Sequence, residues 1–401
     1  MIIIGILFFI FGFVTWINGS LIPFLKIICD LNDFEALFVT FAFYISYTVM
    51  AYPMSYLLDK VGYKKGMMLG LAIMSVGSLI FIPAALTAQY SIFLVALFSL
   101  GTGLTILQTA SNPYVVRIGP IESAAMRISI MGLINKGAGV IVPLLFTALI
   151  LSDIKTEDMN TIASKDLSER LIMPYLYMSA VLLSLIALVK FSSLPELEFE
   201  QNEEDNEISI FTFPQVILGS IALFVYVGVE VIAADTIGLF GQTLGLKEFT
   251  SLTSYTMIFM VFGYLIGVVF IPKYLTQEKA LQFSAITGIL ISIAILFSPH
   301  TNVEIFDLPL SILLVALLGL ANALVWPTIW PLALTGLNAK HTAKASALLI
   351  MAIAGGAIMP LFFGKISEFS QDIQLAYSIL VPSYIFILYY ATKGHKIRSW
   401  N

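Results

Sequence analysis

Twelve apolar runs, each long enough to cross a lipid bilayer, govern what this chain can fold into. They fall at about residues 2–28, 33–58, 65–87, 90–116, 124–151, 171–193, 213–241, 250–271, 277–298, 305–336, 341–367 and 373–393. A bilayer core takes about 20 apolar residues per helix. No water in that core satisfies a backbone N–H or C=O, so each run has to be helical. Charged residues make up only 11% of the 401 and apolar ones 59%, against about 25% charged in a soluble domain. The expected fold class is therefore an all-α membrane protein with 12 transmembrane helices embedded in a lipid bilayer.

The first run starts at Met1 and continues to about Cys29 without a small-residue cleavage site. It reads as a spanning helix and not a removed signal peptide, and it leaves open a short cytoplasmic leader upstream. Lys and Arg are retained on the cytoplasmic side. Lys60, Lys64, Lys65, Arg117, Arg127, Lys190, Lys273, Lys279, Lys340, Lys344, Lys393, Lys396 and Arg398 lie in even-numbered connections, at their edges or in the tail. Both termini are thus expected in the cytoplasm. The net charge of −5, with basic residues scattered, provides no face for nucleic acid. Cys29 is the single cysteine, and His300, His341 and His395 are far apart, so neither an intrachain disulfide nor a zinc site is expected.

Residues 196–207 form the one strongly acidic stretch mid-chain, a solvated cytoplasmic linker by composition. It divides the chain into residues 1–193, a linker at 194–212 and residues 213–401. The two halves resemble each other. A shift of 218 places Gly101 on Gly319, Gln108 on Trp326, Asn112 on Trp330 and Pro113 on Pro331. A shift of 217 places Pro143 on Pro360, and one of 216 matches Gly12 with Gly228 and sets Gly19 opposite Asp235. Parallel six-span repeats are the plan of the major facilitator fold, two six-helix bundles holding substrate near mid-membrane.

The turn after the second run reads Ser55-Tyr56-Leu57-Leu58-Asp59-Lys60-Val61-Gly62-Tyr63-Lys64-Lys65. It resembles that superfamily's G-x-x-x-D-[RK]-x-G-x-[RK]-[RK] signature, with Ser55 in the first glycine's place. Asp59, Lys60, Gly62 and Lys64 are candidates for a latch between conformational states. The segments Gln108-Thr109-Ala110-Ser111-Asn112-Pro113-Tyr114 and Gly119-Pro120-Ile121-Glu122-Ser123 narrow the resemblance. With Trp16-Ile17-Asn18-Gly19, Tyr226-Val227-Gly228-Val229-Glu230 and Ala354-Gly355-Gly356, they look like the fucose:proton symporter family, and most like its glucose/galactose transporter branch. The resemblance implies cation-coupled uptake of hexoses across a bacterial inner membrane. It also implies a departure, because the fucose symporters carry acids where Gln108 and Gly19 stand here.

Independently of that resemblance, only Glu230 and Asp235 are carboxylates in the interior of a predicted span, most others lying in connections or at helix ends, and Lys136 is the only basic residue deep within one. An ionisable group at helix centre costs about 2.5–3.5 kcal/mol on insertion scales, so such groups usually face a polar cavity. The plainer alternative is a Lys136–carboxylate pair that only orders the bundle. Glu230 and Asp235 lie about 140° apart on an ideal helix, and Gly228, Gly238 and Gly241 would let that helix break. Two carboxylates and one ammonium leave one negative charge, which a co-transported proton or sodium ion would neutralise. Glu230 and Asp235 are accordingly also candidate sodium ligands, and no other cofactor is expected.

Gln108 and Asn112 share a helical face, as do Asn322, Trp326 and Trp330. Amides match sugar hydroxyls and an indole can stack on a pyranose ring; each could equally make interhelical contacts. Asn18, Gln108, Asn112, Asn135, Asn322 and Trp326 are the candidate monosaccharide ligands. Tyr44 and Tyr47 carry a weaker signal. A phosphate-cradling motif and a nucleophile–base pair are both lacking, which argues against an ATPase and a membrane enzyme. The expected function is symport of a glucose- or galactose-type hexose by a monomer. Uptake of fucose or N-acetylglucosamine, a non-transporting sugar sensor and a channel stay open as alternatives.

Overall fold

The computed structural model describes residues 1–117, 124–150, 164–195, 209–271, 274–299, 304–305, 308–337 and 339–400, without the side chains of 52, 55, 59, 113, 116, 117, 124–126, 304, 305, 339, 340 and 343. Most of the acidic linker, the Gly119–Ser123 segment and the Asp59 side chain lie outside the described residues.

Among the described residues, twelve helices are long and apolar enough to cross a membrane. They are spans 1 (Ile2–Ile28), 2 (Asp33–Ala51), 3 (Tyr63–Thr87), 4 (Tyr90–Asn112), 5 (Arg127–Ile150), 6 (Ser164–Lys190), 7 (Pro214–Asp235), 8 (Phe249–Phe270), 9 (Gln277–Phe297), 10 (Leu310–Leu334), 11 (Lys344–Ser370) and 12 (Ile373–Lys396). Spans 1–6 form one bundle and spans 7–12 the other, as expected of the major facilitator fold. An even count returns both termini to one face, called the termini face below, opposite a far face. Span 10 starts later than the sequence suggests, because Glu304–Ile305 pairs antiparallel with Leu308–Pro309 ahead of it. Large apolar side chains such as Phe283, Phe297 and Val269 project outwards, since lipid tails solvate them as well as a core would.

The bundles repeat in their packing. A Cβ placed on Gly101 of span 4 would lie 2.3 Å from the Phe43 carbonyl oxygen on span 2, and one on Gly319 of span 10 would lie 2.1 Å from that of Thr256 on span 8. Small residues let membrane helices approach this closely. The bundles meet along two matching seams. Gly139 of span 5 packs against Met257 of span 8, and Gly356 of span 11 packs against Tyr44 of span 2.

Several central helices are interrupted. Span 1 breaks at Ile17, between Ile2–Trp16 and Asn18–Ile28. Span 7 is extended, past a break at Thr236, by the short helix Ile237–Thr243. There the Thr236 hydroxyl donates to the Ile232 carbonyl at 2.6 Å, a bond that bends helices. Span 10 breaks between Leu310–Asn322 and Val325–Leu334, where Pro327 lacks the N–H that would reach the Ala323 carbonyl. Span 11 tightens to a 3-10 turn at Ala352–Ala354.

At the far face the bundles are joined. Ser20 Oγ donates to the Thr250 carbonyl at 2.5 Å, the Thr147 and Thr250 hydroxyls lie 2.8 Å apart, and Ser367 Oγ donates to Asp33 Oδ2 at 3.4 Å. Lys365 Nζ sits 4.0 Å from the Phe34 ring centroid.

Overpacking a tight helix contact costs about 1–3 kcal/mol. Gly319→Ala should therefore lower the thermal unfolding midpoint of the purified protein. Gly137→Ala should not, since nothing lies within 4 Å of a Cβ there. Equal midpoints for the two variants would contradict this packing.

Candidate functional site

The cavity between the bundles opens on the half nearer the termini face. Tyr47 of span 2, Gln108 and Asn112 of span 4, Trp326 and Trp330 of span 10 and Ile353 of span 11 line it, and its volume is about 30 Å³. A water needs roughly 10–15 Å³ measured this way, so the cavity admits about two waters and no hexose. The two tryptophan rings stack with centroids 5.4 Å apart at 26°. The Tyr226 ring lies 6.5 Å from that of Trp326. The amide pair thus faces the indole pair across the bundle boundary.

The other candidate ligands lie elsewhere. Asn322 is fully buried, and its Oδ1 accepts from the Tyr384 hydroxyl on span 12 at 2.7 Å. Sequence spacing put Asn322 on one face with Trp326, but Asn322 does not line the cavity and bonds span 12 instead. Asn135 accepts from Trp16 Nε1 at 3.3 Å. Asn18 is fully buried beside the break in span 1, and both its amide atoms lack a hydrogen-bond partner among the described residues.

Lys136 Nζ donates to Glu230 Oε1 at 2.6 Å, both side chains being about nine-tenths buried. Lys136 reaches from span 5 and Glu230 from span 7, so the ion pair crosses between bundles and does not merely order one of them. Lys136 Nζ also stands 4.3 Å from the Trp16 ring centroid, a favourable site for a cation where water is scarce. Asp235, one residue before the break in span 7, is fully buried, and neither of its oxygens has a hydrogen-bond partner among the described residues. Among the described residues, no group of three or more His, Cys, Asp or Glu side chains could hold a metal ion.

At the signature turn, Gly62 adopts φ +82° and closes the connection from span 2 to span 3. Lys64 Nζ donates to the Ser192 carbonyl at 2.8 Å at the end of span 6, and Lys60 Nζ lies 4.3 Å from the Tyr56 ring centroid. These contacts stay within the first bundle. Cys29, in the connection after span 1, donates to the Ala88 carbonyl at 3.7 Å, and burial pushes its thiol up to about 11. Little thiolate forms there at neutral pH.

Sequence reasoning missed Trp16 as the partner of Lys136 and overlooked Thr105, Thr109, Ile350 and Ile353 in the cavity wall. The two threonines lie at i−3 from Gln108 and Asn112 respectively, so helical spacing was the available signal. Trp16 offered none, since the contact joins residues 120 positions apart.

Two interrupted helices at a bundle boundary, a buried ion pair across it and an amide-and-indole cavity between pseudo-repeated halves are features of a membrane transporter built from two similar halves. The Major Facilitator Superfamily signature matches residues 4–362, and the chain belongs to that superfamily. It is 33% identical over 402 residues to the glucose/galactose transporter of Brucella abortus biovar 1 (strain 9-941), covering 98% of this chain and 93% of that one. It is 32% identical over 400 residues to the putative glucose/galactose transporter of Helicobacter pylori (strain J99 / ATCC 700824), covering 97% and 95%. The crystal structure of the E. coli fucose:proton symporter superposes with a TM-score of 0.72 at 23% identity, covering 97% of each chain. The superfamily and these relatives are transporters, not enzymes.

Breaking a buried ion pair by removing one partner costs about 3–5 kcal/mol, whereas replacing both partners with apolar groups is often neutral. Glu230→Leu should strongly destabilise the purified protein, and Lys136→Met combined with Glu230→Leu should recover most of that loss. Additive losses in the double variant would show that the two side chains act independently.

Proposed function

We propose that this chain is a sugar symporter that imports a glucose- or galactose-type hexose with a cation, sodium or a proton, by alternating access. Its termini and acidic linker lie in the cytoplasm, the membrane is a bacterial inner membrane, and the chain works as a monomer. The observation that carries the reading is the cavity in which Gln108 and Asn112 face Trp326. Amides supply donors and acceptors to hydroxyls, and an indole supplies a stacking surface. The names of the Brucella and Helicobacter relatives support a hexose substrate. With the termini cytoplasmic, the far-face seal lies on the outer side, and uptake follows as the two sides open in turn.

The relative named L-fucose-proton symporter in E. coli (strain K12), 25% identical over 404 residues, favours fucose as the second substrate reading. Counterflow in proteoliposomes with labelled glucose, galactose, fucose and N-acetylglucosamine tests both. A carrier exchanges labelled for unlabelled sugar, a sensor moves none, and a channel shows no trans-stimulation.

Trp326→Ala should weaken hexose binding more than Trp326→Phe, by about 1–3 kcal/mol, the usual cost of losing an aromatic stack. Equal affinities for Trp326→Ala and the wild type, measured by equilibrium binding, would refute the assignment.

A neutral amide does not titrate in the working pH range, so Gln108→Ala should lower sugar affinity without changing the cation-to-sugar ratio of residual transport. A changed ratio would place coupling at Gln108. Glu230→Gln and Asp235→Asn should each abolish uphill accumulation under imposed sodium and proton gradients; full accumulation by both would remove the carboxylates from coupling.

A further inference from the structure

We infer that the coupled ion is a single sodium ion held by Asp235 and Asn18 where the breaks of spans 1 and 7 meet, and that Glu230 is not one of its ligands. The inference rests on the symport reading above and assigns the ion site within it. Of the two carboxylates that the sequence places in the interior of the spans, Glu230 is already committed to Lys136 at 2.6 Å. Asp235 is fully buried, with both oxygens unpartnered among the described residues. A buried carboxylate is costly unless something compensates its charge.

Asn18 carries the second, independent sign. It too is fully buried with both amide atoms unpartnered among the described residues, and it belongs to the opposite bundle. Asn18 begins the second half of span 1, and Asp235 ends the first half of span 7. Their neighbours are in contact. A Cβ on Gly19 would lie 3.0 Å from the Ala234 carbonyl oxygen, and one on Gly238 would lie 3.0 Å from that of Gly19. A Cβ on Gly19 would also lie 2.2 Å from Thr253 Oγ1, so a larger side chain at position 19 would hold the two breaks apart.

The donor set selects the ion. A carboxylate and an amide carbonyl are hard oxygen ligands, suited to a small hard cation held beside helix interruptions. A proton would need Asp235 alone and would leave the Asn18 amide unexplained. Charge gives the stoichiometry, because Lys136 cancels Glu230 and one monovalent ion then cancels Asp235. Ligands drawn from both bundles also make ion binding sensitive to how the bundles sit against each other.

The test is equilibrium binding of radioactive sodium to the purified full chain in lipid nanodiscs, run beside hexose counterflow of the same preparation. The wild type should bind one sodium ion per chain saturably, and Asp235→Asn should bind none. Asn18→Leu should raise the half-saturating sodium concentration by roughly tenfold or more, as metal sites do when a supporting group is lost. Asn18→Ser, which keeps a neutral oxygen at that position, should bind sodium more tightly than Asn18→Leu and thereby separates ligation from misfolding. A wild type that exchanges hexose but binds no sodium overturns the ion site and leaves the transport reading standing. Asn18→Leu with wild-type sodium affinity, or a monodisperse Asn18→Ser that binds sodium no better than Asn18→Leu, overturns it as well. Sodium binding lost on Asp235→Asn and weakened by Asn18→Leu upholds the site, even if no hexose exchanges and the transport reading falls.

Discussion

The Lys136–Glu230 pair is the interaction on which the arrangement of the two bundles turns. Each partner alone would be a charge far from water, and neither can be withdrawn cheaply once the other is in place. Because the partners sit on spans 5 and 7, the pair ties one bundle to the other beside the break of span 7. Trp16 covers the ammonium from span 1, so three helices converge on one charge. Any rocking of the bundles has to carry this pair along intact or give each partner a new one. That requirement places the pair near a pivot, where relative displacement is least, and leaves larger movement to the two ends.

The close helix contacts fit such a pivot. Gly139 on span 5 and Gly356 on span 11 occupy equivalent places in the two halves, and each brings its helix against a span of the other bundle. The seams are therefore lined by small residues near the middle and by hydroxyl and ring contacts at the far face. Single hydrogen bonds of that kind contribute about 0.5–1.5 kcal/mol each, so a modest differential binding energy suffices to part them. The mid-membrane glycine contacts are made to side chains, Met257 and Tyr44, and not to hydrogen-bonding backbone, so they can slide with little loss.

How much of this was legible in the sequence depended on whether the relevant physics is local. The spans were readable because lipid forces each helix to be apolar over its whole length. Lys136, Glu230 and Asp235 stood out for the same reason, as charges in apolar runs. Gln108, Asn112 and Trp326 were found by helical spacing, and they do line one cavity. The same spacing grouped Asn322 with Trp326, but Asn322 is held by Tyr384 of span 12, a contact between distant segments that spacing does not reveal. Glycines suggested a break in span 7, yet it falls at Thr236, where a hydroxyl competes for the backbone; Gly238 serves instead for close approach to Gly19. Contacts between distant segments, such as Lys365 over Phe34 at the far face, left no periodic trace.

The cavity's size has a consequence for how sugar and ion would be linked on the symport reading. At about 30 Å³ the space between Gln108 and Trp326 is too small for a hexose, so sugar has to part spans 4 and 10 in order to enter. Spans 1 and 7, by contrast, are in contact at Gly19 and Ala234 beside Asn18 and Asp235. The two regions share rigid bundles, so spreading one alters the fit of the other without any ligand common to both. Coupling then lies in the relative position of the bundles, as linkage requires: each ligand shifts the equilibrium only by its differential affinity for the two arrangements. This also accounts for a neutral residue at position 108 beside the sugar. With the ion's charge balanced at Asp235, an acid in the cavity would add a second buried charge that neither Lys136 nor a single cation could offset.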